Sequence, residues 1–248
     1  MGPAVDPGRK FRILSPTEER LLMTRRLLSI LLFSAILLWG IGPALAQETK
    51  FDQKLEVAGE VYLELMGAPD RKVPKHLIDS AKCVAVIPNV YKGALFGLGG
   101  RHGNGVISCH DAEGVWSPPS FIEITGGSFG LQIGGEAIDL VLFFMNERGV
   151  LSLLGSKFEI GGDASVAAGP YGRTAEASTD IKLKAEIYSY ARSRGLFAGV
   201  AFEGSRLAPD NKANRKYYGQ TVDAESVLFD HRVPRRPASA SRFTALLP

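Results

Sequence analysis

The stretch GALFGLGGRHGNGV, from Gly93 to Val106, contains six glycines among fourteen residues and directly follows an apolar, strand-like run. A glycine-rich loop after a strand is typical of a nucleotide site, in which G-x-G-x-x-G leads into a helix N-terminus that faces the phosphates. Here His102 stands where the third glycine is required, and the following GVISCHD has the branched side chains of another strand. The stretch therefore predicts two strands and a tight turn rather than a nucleotide site.

Two later segments repeat this pattern of a phenylalanine followed by small residues at strand period. They are GSFGLQIGG (127–135) and GLFAGVAFEG (195–204). Glycine inside a strand marks a bend, a bulge or a place where another backbone comes close. Because the pattern recurs, we expect a strongly coiled sheet that closes into a barrel-like shape filled by phenylalanines.

Two helices are predicted before the strands begin. Apolar residues recur at helical spacing over residues 51–66, and they are Phe51, Leu55, Ala58, Tyr62 and Leu65. The outer face of this amphipathic helix is acidic, so we expect it to pack on the core rather than to lie on an anionic membrane. A second, short helix is expected from Pro74, because proline suits the first turn of a helix.

The rest of the chain reads mainly as short strands separated by glycine, asparagine and proline. One further helix is expected at DNKANRKYYG, with Asp210 as its N-cap and Gly219 as its C-cap. The predicted fold class is therefore α+β, with N-terminal helices packed on a large, strongly coiled, barrel-like antiparallel β-sheet and a short C-terminal helix.

The N-terminus has the pattern of a secretory signal peptide. Arg25 and Arg26 precede a charge-free apolar run that ends at the small-residue cleavage pattern Ala44-Leu45-Ala46. An uncleaved anchor is the alternative, because the run approaches the roughly 20 residues that span a bilayer. The expected organisation is a non-native extension (1–22), the signal peptide (23–46), one domain (47–230) and a basic, disordered tail (231–248). We therefore expect export to the periplasm or the medium, with association to a membrane surface.

The charge balance does not indicate a nucleic-acid partner. Residues 1–46 hold six of the 29 basic and three of the 26 acidic residues, so the remaining chain has 23 of each. The excess positive charge thus belongs to the predicted leader. Cys83 and Cys109 remain in a chain that is expected to enter an oxidising compartment. They can form a disulfide or stay as two buried thiols on separate strands, and their spacing does not decide between these states.

Motifs for catalysis and metal binding fit their sequence context poorly. The segment from Gly126 to Gly130 matches G-x-S-x-G around Ser128, but a nucleophile elbow needs a strand that turns into a helix, and strand-like residues follow here. Cys109, His110 and Asp111 are consecutive, so on a strand they alternate between faces and cannot converge on a metal ion. We expect neither a metal nor an organic cofactor.

Four longer motifs occur together in one order. They are WSPP from Trp116, GGSFGLQIG from Gly126, AAGPYGR from Ala167 and SRGLFAGVAFEGS from Ser193. With these motifs the chain resembles the SYLF domain family, also described as a lipid-binding or actin-binding domain, over about residues 50–220. Cys83 departs from the pattern, because glycine or another small residue is expected there.

The resemblance implies binding rather than catalysis. Eukaryotic members of the SYLF family bind membranes that contain phosphoinositides, with basic residues of the N-terminal region involved, and some bind actin filaments. Bacterial members are typically exported, so we expect this chain to be an exported bacterial member that binds membrane lipids with anionic headgroups. The alternatives are a structural or protein-interaction module that binds an envelope protein and, as a minor one, a serine hydrolase acting through Ser128.

The candidate lipid-binding residues are the basic positions near the start of the domain. They are Arg71, Lys72, Lys75, Lys82, Lys92 and Arg101. If these residues share one face, each contributes about 1 kcal/mol at an anionic surface. The alternative interpretation is a set of scattered, solvated charges without a common function.

Overall fold

The computed structural model describes residues 50–68, 73–95, 98–129, 134–155, 158–170, 185–193, 196–200, 202–219, 222–230, 232–233 and 235–248. The predicted extension and signal peptide lie outside these residues, as do Arg71 and Lys72. Within the described part of the chain, no helix is both long enough and apolar enough to cross a bilayer.

The described residues form six helices and nine strands. The helices are α1 (50–67), α2 (Lys75–Ser80), α3 (Glu147–Leu154), α4 (Asn211–Tyr218), α5 (Ala224–Leu228) and α6 (Ala238–Thr244). The strands are β1 (Cys83–Leu95), β2 (Leu98–Cys109), β3 (Ser120–Phe129), β4 (Gly134–Phe144), β5 (Glu159–Ile160), β6 (Val166–Ala168), β7 (Ile187–Ser193), β8 (Leu196–Gly199) and β9 (Ser205–Pro209). The predicted helices over 51–66 and from Pro74 are confirmed as α1 and α2.

All nine strands belong to one sheet, in the order β5-β9-β3-β2-β1-β4-β7-β6, with β8 also paired to β7. The pairs are antiparallel except for β6 and β7, which run parallel. The two ends of this order come together, because the short turn after β5 leads to β6 and a bridge joins Ile160 to Ala164. The α+β class and the barrel-like sheet are thus confirmed.

The two faces of the sheet carry two separate apolar clusters. Along β1, Ala85 and Ile87 point to the inner cluster, whereas Val84 and Val86 point to the outer one. The inner cluster fills the barrel and includes the phenylalanines Phe144, Phe158 and Phe202. The outer cluster buries the apolar faces of helices against the sheet, and its α1 members are Leu55, Ala58, Val61, Tyr62 and Leu65. The predicted amphipathic helix therefore packs on the core.

A β-bulge in β1 shifts its register by one residue against both neighbours. On the β2 side the shift falls between Val86 and Tyr91, and on the β4 side between Ile87 and Val90. Asn89 has a positive φ of 51° there, a conformation that asparagine tolerates better than most residues. The bulge brings the β1 backbone close to Gly105 of β2. A β-carbon on Gly105 would lie 2.3 Å from the carbonyl oxygen of Val86.

We expect Gly105→Ala to destabilise the fold by about 1–3 kcal/mol or more, because the added methyl group meets backbone atoms that cannot move without shifting β1. Gly100→Ala is the matched control on the same strand. Among the described residues, the nearest atom to its β-carbon outside the adjoining chain would be the carbonyl oxygen of Gly126 at 3.8 Å. Urea denaturation followed by circular dichroism measures both free energies of unfolding. Equal losses in the two variants would contradict the close approach.

The cysteines lie directly opposite each other, Cys83 on β1 and Cys109 on β2. The structure joins them in a disulfide, and both side chains are buried in the inner cluster. The bond closes a sequence separation of 26 residues. In the chain-entropy description, a loop of this size stabilises the folded state by roughly 3 kcal/mol.

The C-terminal region differs from the expectation. Helix α4 has the predicted caps, since the Asp210 side chain accepts a hydrogen bond from Ala213 N and Gly219 has a φ of 77°. The predicted disordered tail (231–248) is wrong, however, because it contains α6, and Trp116 Nε1 donates a hydrogen bond to Pro248 O at 2.6 Å. Its apolar residues face the outer cluster, and they are Ala240, Phe243, Leu246 and Leu247. The four arginines and three prolines of residues 231–248 are typical of a disordered segment, whereas the helix formed there is only seven residues long.

We expect Phe243→Ala to lower the free energy of unfolding by about 3–5 kcal/mol, because it empties a buried aromatic position. Arg242→Ala, at the exposed neighbouring position of α6, should change it by less than about 0.5 kcal/mol. Thermal and urea unfolding of the two variants provide the comparison. If the Phe243→Ala protein were as stable as the parent, the tail would not pack on the core and the prediction of disorder would stand.

Candidate functional site

A cavity of about 500 Å³ lies at one mouth of the barrel, where β1, β2, β4, β7 and β8 approach one another. Its polar lining residues are Lys92, Arg101, Glu136, Ser193 and Glu203. Its apolar lining residues are Ile138, Ala191, Leu196, Ala198, Val200 and Phe202. These residues define the barrel-mouth cavity. Its volume lies in the range of small-molecule sites in proteins.

Lys92 and Arg101 are the cations of this cavity. They are direct partners in the register of β1 and β2, so both side chains project from the same face of the sheet. Both lie over the ring of Phe202, with Lys92 Nζ 5.1 Å and Arg101 Cζ 4.7 Å from its centroid. Like charges directly opposite each other are unfavourable in a sheet. The aromatic face partly offsets this repulsion, and a bound anion would offset it further.

The bulge explains why Lys92 points into the cavity. Before the bulge, odd-numbered residues of β1 such as Ile87 face the interior, and after it even-numbered ones such as Val90 and Lys92 do. With an uninterrupted strand, Lys92 would point outward together with Val84 and Val86. The register shift therefore places Lys92 opposite Arg101.

Hydrogen bonds hold the Arg101 guanidinium in place but do not involve all of its N–H donors. Its Nη1 donates to Ser205 Oγ at 2.9 Å and to the carbonyl oxygen of Glu203 at 3.3 Å. Its buried Nε has no hydrogen-bond partner within the part of the chain that the structure describes. Glu136 faces Lys92 from β4, and the Ser193 hydroxyl donates a hydrogen bond to its carboxylate.

Burial destabilises the charged forms of the two cations. Burial is the main cause that lowers the pKa of Lys92, the Arg101 charge lowers this pKa further, and Glu136 opposes both effects. Burial also lowers the pKa of Arg101. The charged form of Lys92 is therefore disfavoured despite the facing carboxylate, and an anion bound beside it would favour that form.

We expect an NMR pH titration of Lys92 to give a midpoint below the ordinary value of a lysine side chain, because burial disfavours its charged form. Because the folded-state pKa of Lys92 lies below its unfolded value, the proton binds less tightly in the folded state. The resulting cost to stability is present below the folded-state pKa and is relieved as the pH rises towards the unfolded value. A midpoint for Lys92 at the ordinary lysine value would contradict the desolvated site.

The six predicted basic residues do not all meet at this cavity. Lys75 pairs with Asp79 on α2 at 2.7 Å, and Lys82 precedes β1 at the end where the disulfide lies. Ten residues separate Lys82 from Lys92, which corresponds to roughly 30 Å along a strand. The structure thus brings Lys92 and Arg101 together and places Lys75 and Lys82 elsewhere.

Several residues of the cavity and its rim could not be predicted from the sequence. Phe202, Glu136 and Glu203 enter the cavity from distant parts of the chain. At the rim, Leu196 is 64% exposed, and Tyr91, which points to the outer face next to Lys92, is also 64% exposed. The alternation of Leu196, Ala198 and Val200 is visible in the sequence, but only the pairing of β8 with β7 shows which face they line.

The catalytic and metal motifs gain no support from the fold. The backbone of Ser128 lies inside β3 opposite Gly99, and the next described element is the strand β4 rather than a helix. A nucleophile elbow requires a turn from strand to helix. Across the described ranges, no group of three or more histidine, cysteine or acidic side chains could hold a metal ion.

The fold and the cavity define an α+β domain with a filled barrel and a cationic mouth. Residues 125–248 match the family model described as Ysc84, Las17-binding protein actin regulator. The chain therefore belongs to the Ysc84 family, and the resemblance to the SYLF domain is confirmed.

Relatives in animals and yeast extend the match towards the N-terminus. The human SH3 domain-containing YSC84-like protein 1 is 37% identical over 180 residues, which are 72% of this chain and 52% of that protein. The yeast LAS seventeen-binding protein 3 is 36% identical over 208 residues, which are 82% of this chain and 44% of that protein. The chain thus spans about half the length of these relatives. The name of the yeast protein describes a binding protein, and neither name describes an enzyme.

Proposed function

We propose that this chain is a non-enzymatic protein that binds anionic lipid surfaces through the mouth of its barrel. The observation that carries the proposal is the juxtaposition of Lys92 and Arg101 over Phe202. These cations are partly buried and, among the described residues, neither forms an ion pair with a carboxylate. A phosphate or carboxylate headgroup would neutralise the repulsion between them.

The rim supports a membrane surface as the source of that headgroup. Tyr91 and Leu196 are large, exposed side chains at the level of the two cations. Basic residues near an anionic surface contribute about 1 kcal/mol each, and aromatic or leucine side chains add affinity by entering the interface. The outer face of α1 is a poorer candidate, because Glu56 and Glu60 are exposed there, whereas the mouth sets the two cations beside its own two exposed carboxylates.

We further propose that the protein is exported and acts in the periplasm or outside the cell, at the envelope surface. The predicted signal peptide over residues 23–46 motivates this location. The disulfide between Cys83 and Cys109 supports it, because such bonds form and persist in oxidising compartments.

We expect the double variant Lys92→Gln with Arg101→Gln to bind anionic vesicles about 30-fold more weakly than the parent protein, since two contributions of roughly 1 kcal/mol are lost. The double variant Lys75→Gln with Lys82→Gln removes the same charge at the other end of β1 and should bind almost as the parent does. Co-sedimentation with anionic and with zwitterionic vesicles at low salt measures both. Absence of parent binding to either vesicle, or equal losses in the two double variants, would refute the proposal.

A second candidate function is a structural or protein-interaction module of the envelope. It is favoured by the family description, which names a Las17-binding protein and actin regulator, and by the binding proteins among the relatives. Pull-down from envelope extracts with the purified protein separates the two functions. Capture of a defined protein that survives removal of lipid would favour the protein partner, whereas capture that depends on lipid would favour the membrane surface.

A further inference from the structure

The barrel-mouth cavity has apolar walls as well as the two cations that could attract an anionic membrane surface. Its floor and wall are apolar, formed by buried Ile138, Ala191 and Phe202 and by the β8 side of the opening. Purely electrostatic attachment to a membrane requires no cavity, since exposed lysines serve equally well. A concave site with apolar walls and a few convergent polar groups is typical of the binding of an individual molecule.

We propose that this cavity binds one singly charged anionic group together with an adjoining apolar chain, that is, the end of a single-chain anionic amphiphile. This inference rests on the proposed function and specifies its ligand. The anionic group would lie between Lys92 and Arg101, where the buried Arg101 Nε lacks a partner among the described residues. The first carbons of the chain would contact Phe202 and Ile138.

The charge of the lining limits the charge of the ligand. Among its described residues, the lining carries two cations, Lys92 and Arg101, and two carboxylates, Glu136 and Glu203. The carboxylates belong to exposed residues, whereas the cations are partly buried. A compact monoanion can approach the cations past this acidic rim, but a group with several negative charges would be repelled by it. The cavity therefore favours a ligand with one negative charge over a ligand with several.

The wall formed by β8 determines the space for the apolar chain. Leu196 and Ala198 of this strand, and Val200 just after it, line the cavity, while Phe197 points to the outer cluster. The small side chain of Ala198 keeps the wall open. A larger side chain at this position would fill the space while leaving Lys92 and Arg101 in place.

Isothermal titration of the whole protein with octanoate, below the concentration at which it aggregates, tests the inference. We expect saturable binding of one octanoate per chain. Inorganic phosphate supplies a headgroup without a chain, pyrophosphate a multiply charged headgroup, and octyltrimethylammonium a chain with the opposite charge. Each of these three probes should bind at least about tenfold more weakly than octanoate, a difference of about 1.4 kcal/mol.

Variants separate the cavity from the surface. Ala198→Trp should weaken octanoate binding about tenfold or more by filling the cavity, and Lys92→Met should weaken it about fivefold by removing one cation. Lys75→Met, on α2, is the matched charge control and should bind octanoate as the parent does. Thermal unfolding confirms that each variant is folded.

The outcomes distinguish this inference from the proposed function. If octanoate does not bind, or binds equally to Ala198→Trp, the cavity inference is overturned. The surface function then stands as long as vesicle binding depends on Lys92 and Arg101. If octanoate binds as expected but vesicles do not, the cavity inference is supported and the surface function fails.

Discussion

The bulge of β1 against Gly105 is the constraint on which the barrel mouth depends. It inserts one residue into β1 relative to both β2 and β4, so the strand changes which of its side chains face inward. At one end of the strand this alternation places Cys83 opposite Cys109, and at the other end it places Lys92 opposite Arg101. The close approach of the β1 backbone leaves no room for a β-carbon at Gly105. One local irregularity thus determines both the filled interior and the charged mouth.

A chain of polar contacts connects this bulge to the helical layer. Asn89 N donates a hydrogen bond to Asp139 Oδ1 at 2.9 Å, and Arg192 pairs with the same carboxylate at 2.6 Å. Arg192 also pairs with Glu64 of α1. The backbone group that the bulge removes from the sheet ladder is thereby satisfied, and β1, β4, β7 and α1 are connected. Paired charges of this kind fix a geometry more than they add stability.

Sequence patterns were informative where the structure is local. The periodicity of α1 and the caps of α4 depend on neighbouring residues. The recurrent glycines indicated a coiled sheet, but not that a β-carbon would lie 2.3 Å from a backbone oxygen at Gly105 and 3.8 Å from one at Gly100. The cavity depends on pairings between distant segments, so Phe202 and Glu136 could not be assigned to it from spacing. For the same reason α6 was not predicted, because its apolar residues are buried in a cluster that they share with the distant helix α1.

The proposed function places an anionic membrane at the barrel mouth rather than at the opposite end of the barrel. Tryptophan probes at Tyr91, near the mouth, and at Val115, in the loop beyond Cys109, test it directly, because both positions are exposed. With anionic vesicles that carry brominated lipids, we expect a blue shift and quenching for Tyr91→Trp and an unchanged difference spectrum for Val115→Trp. Quenching at Val115→Trp without quenching at Tyr91→Trp would contradict it.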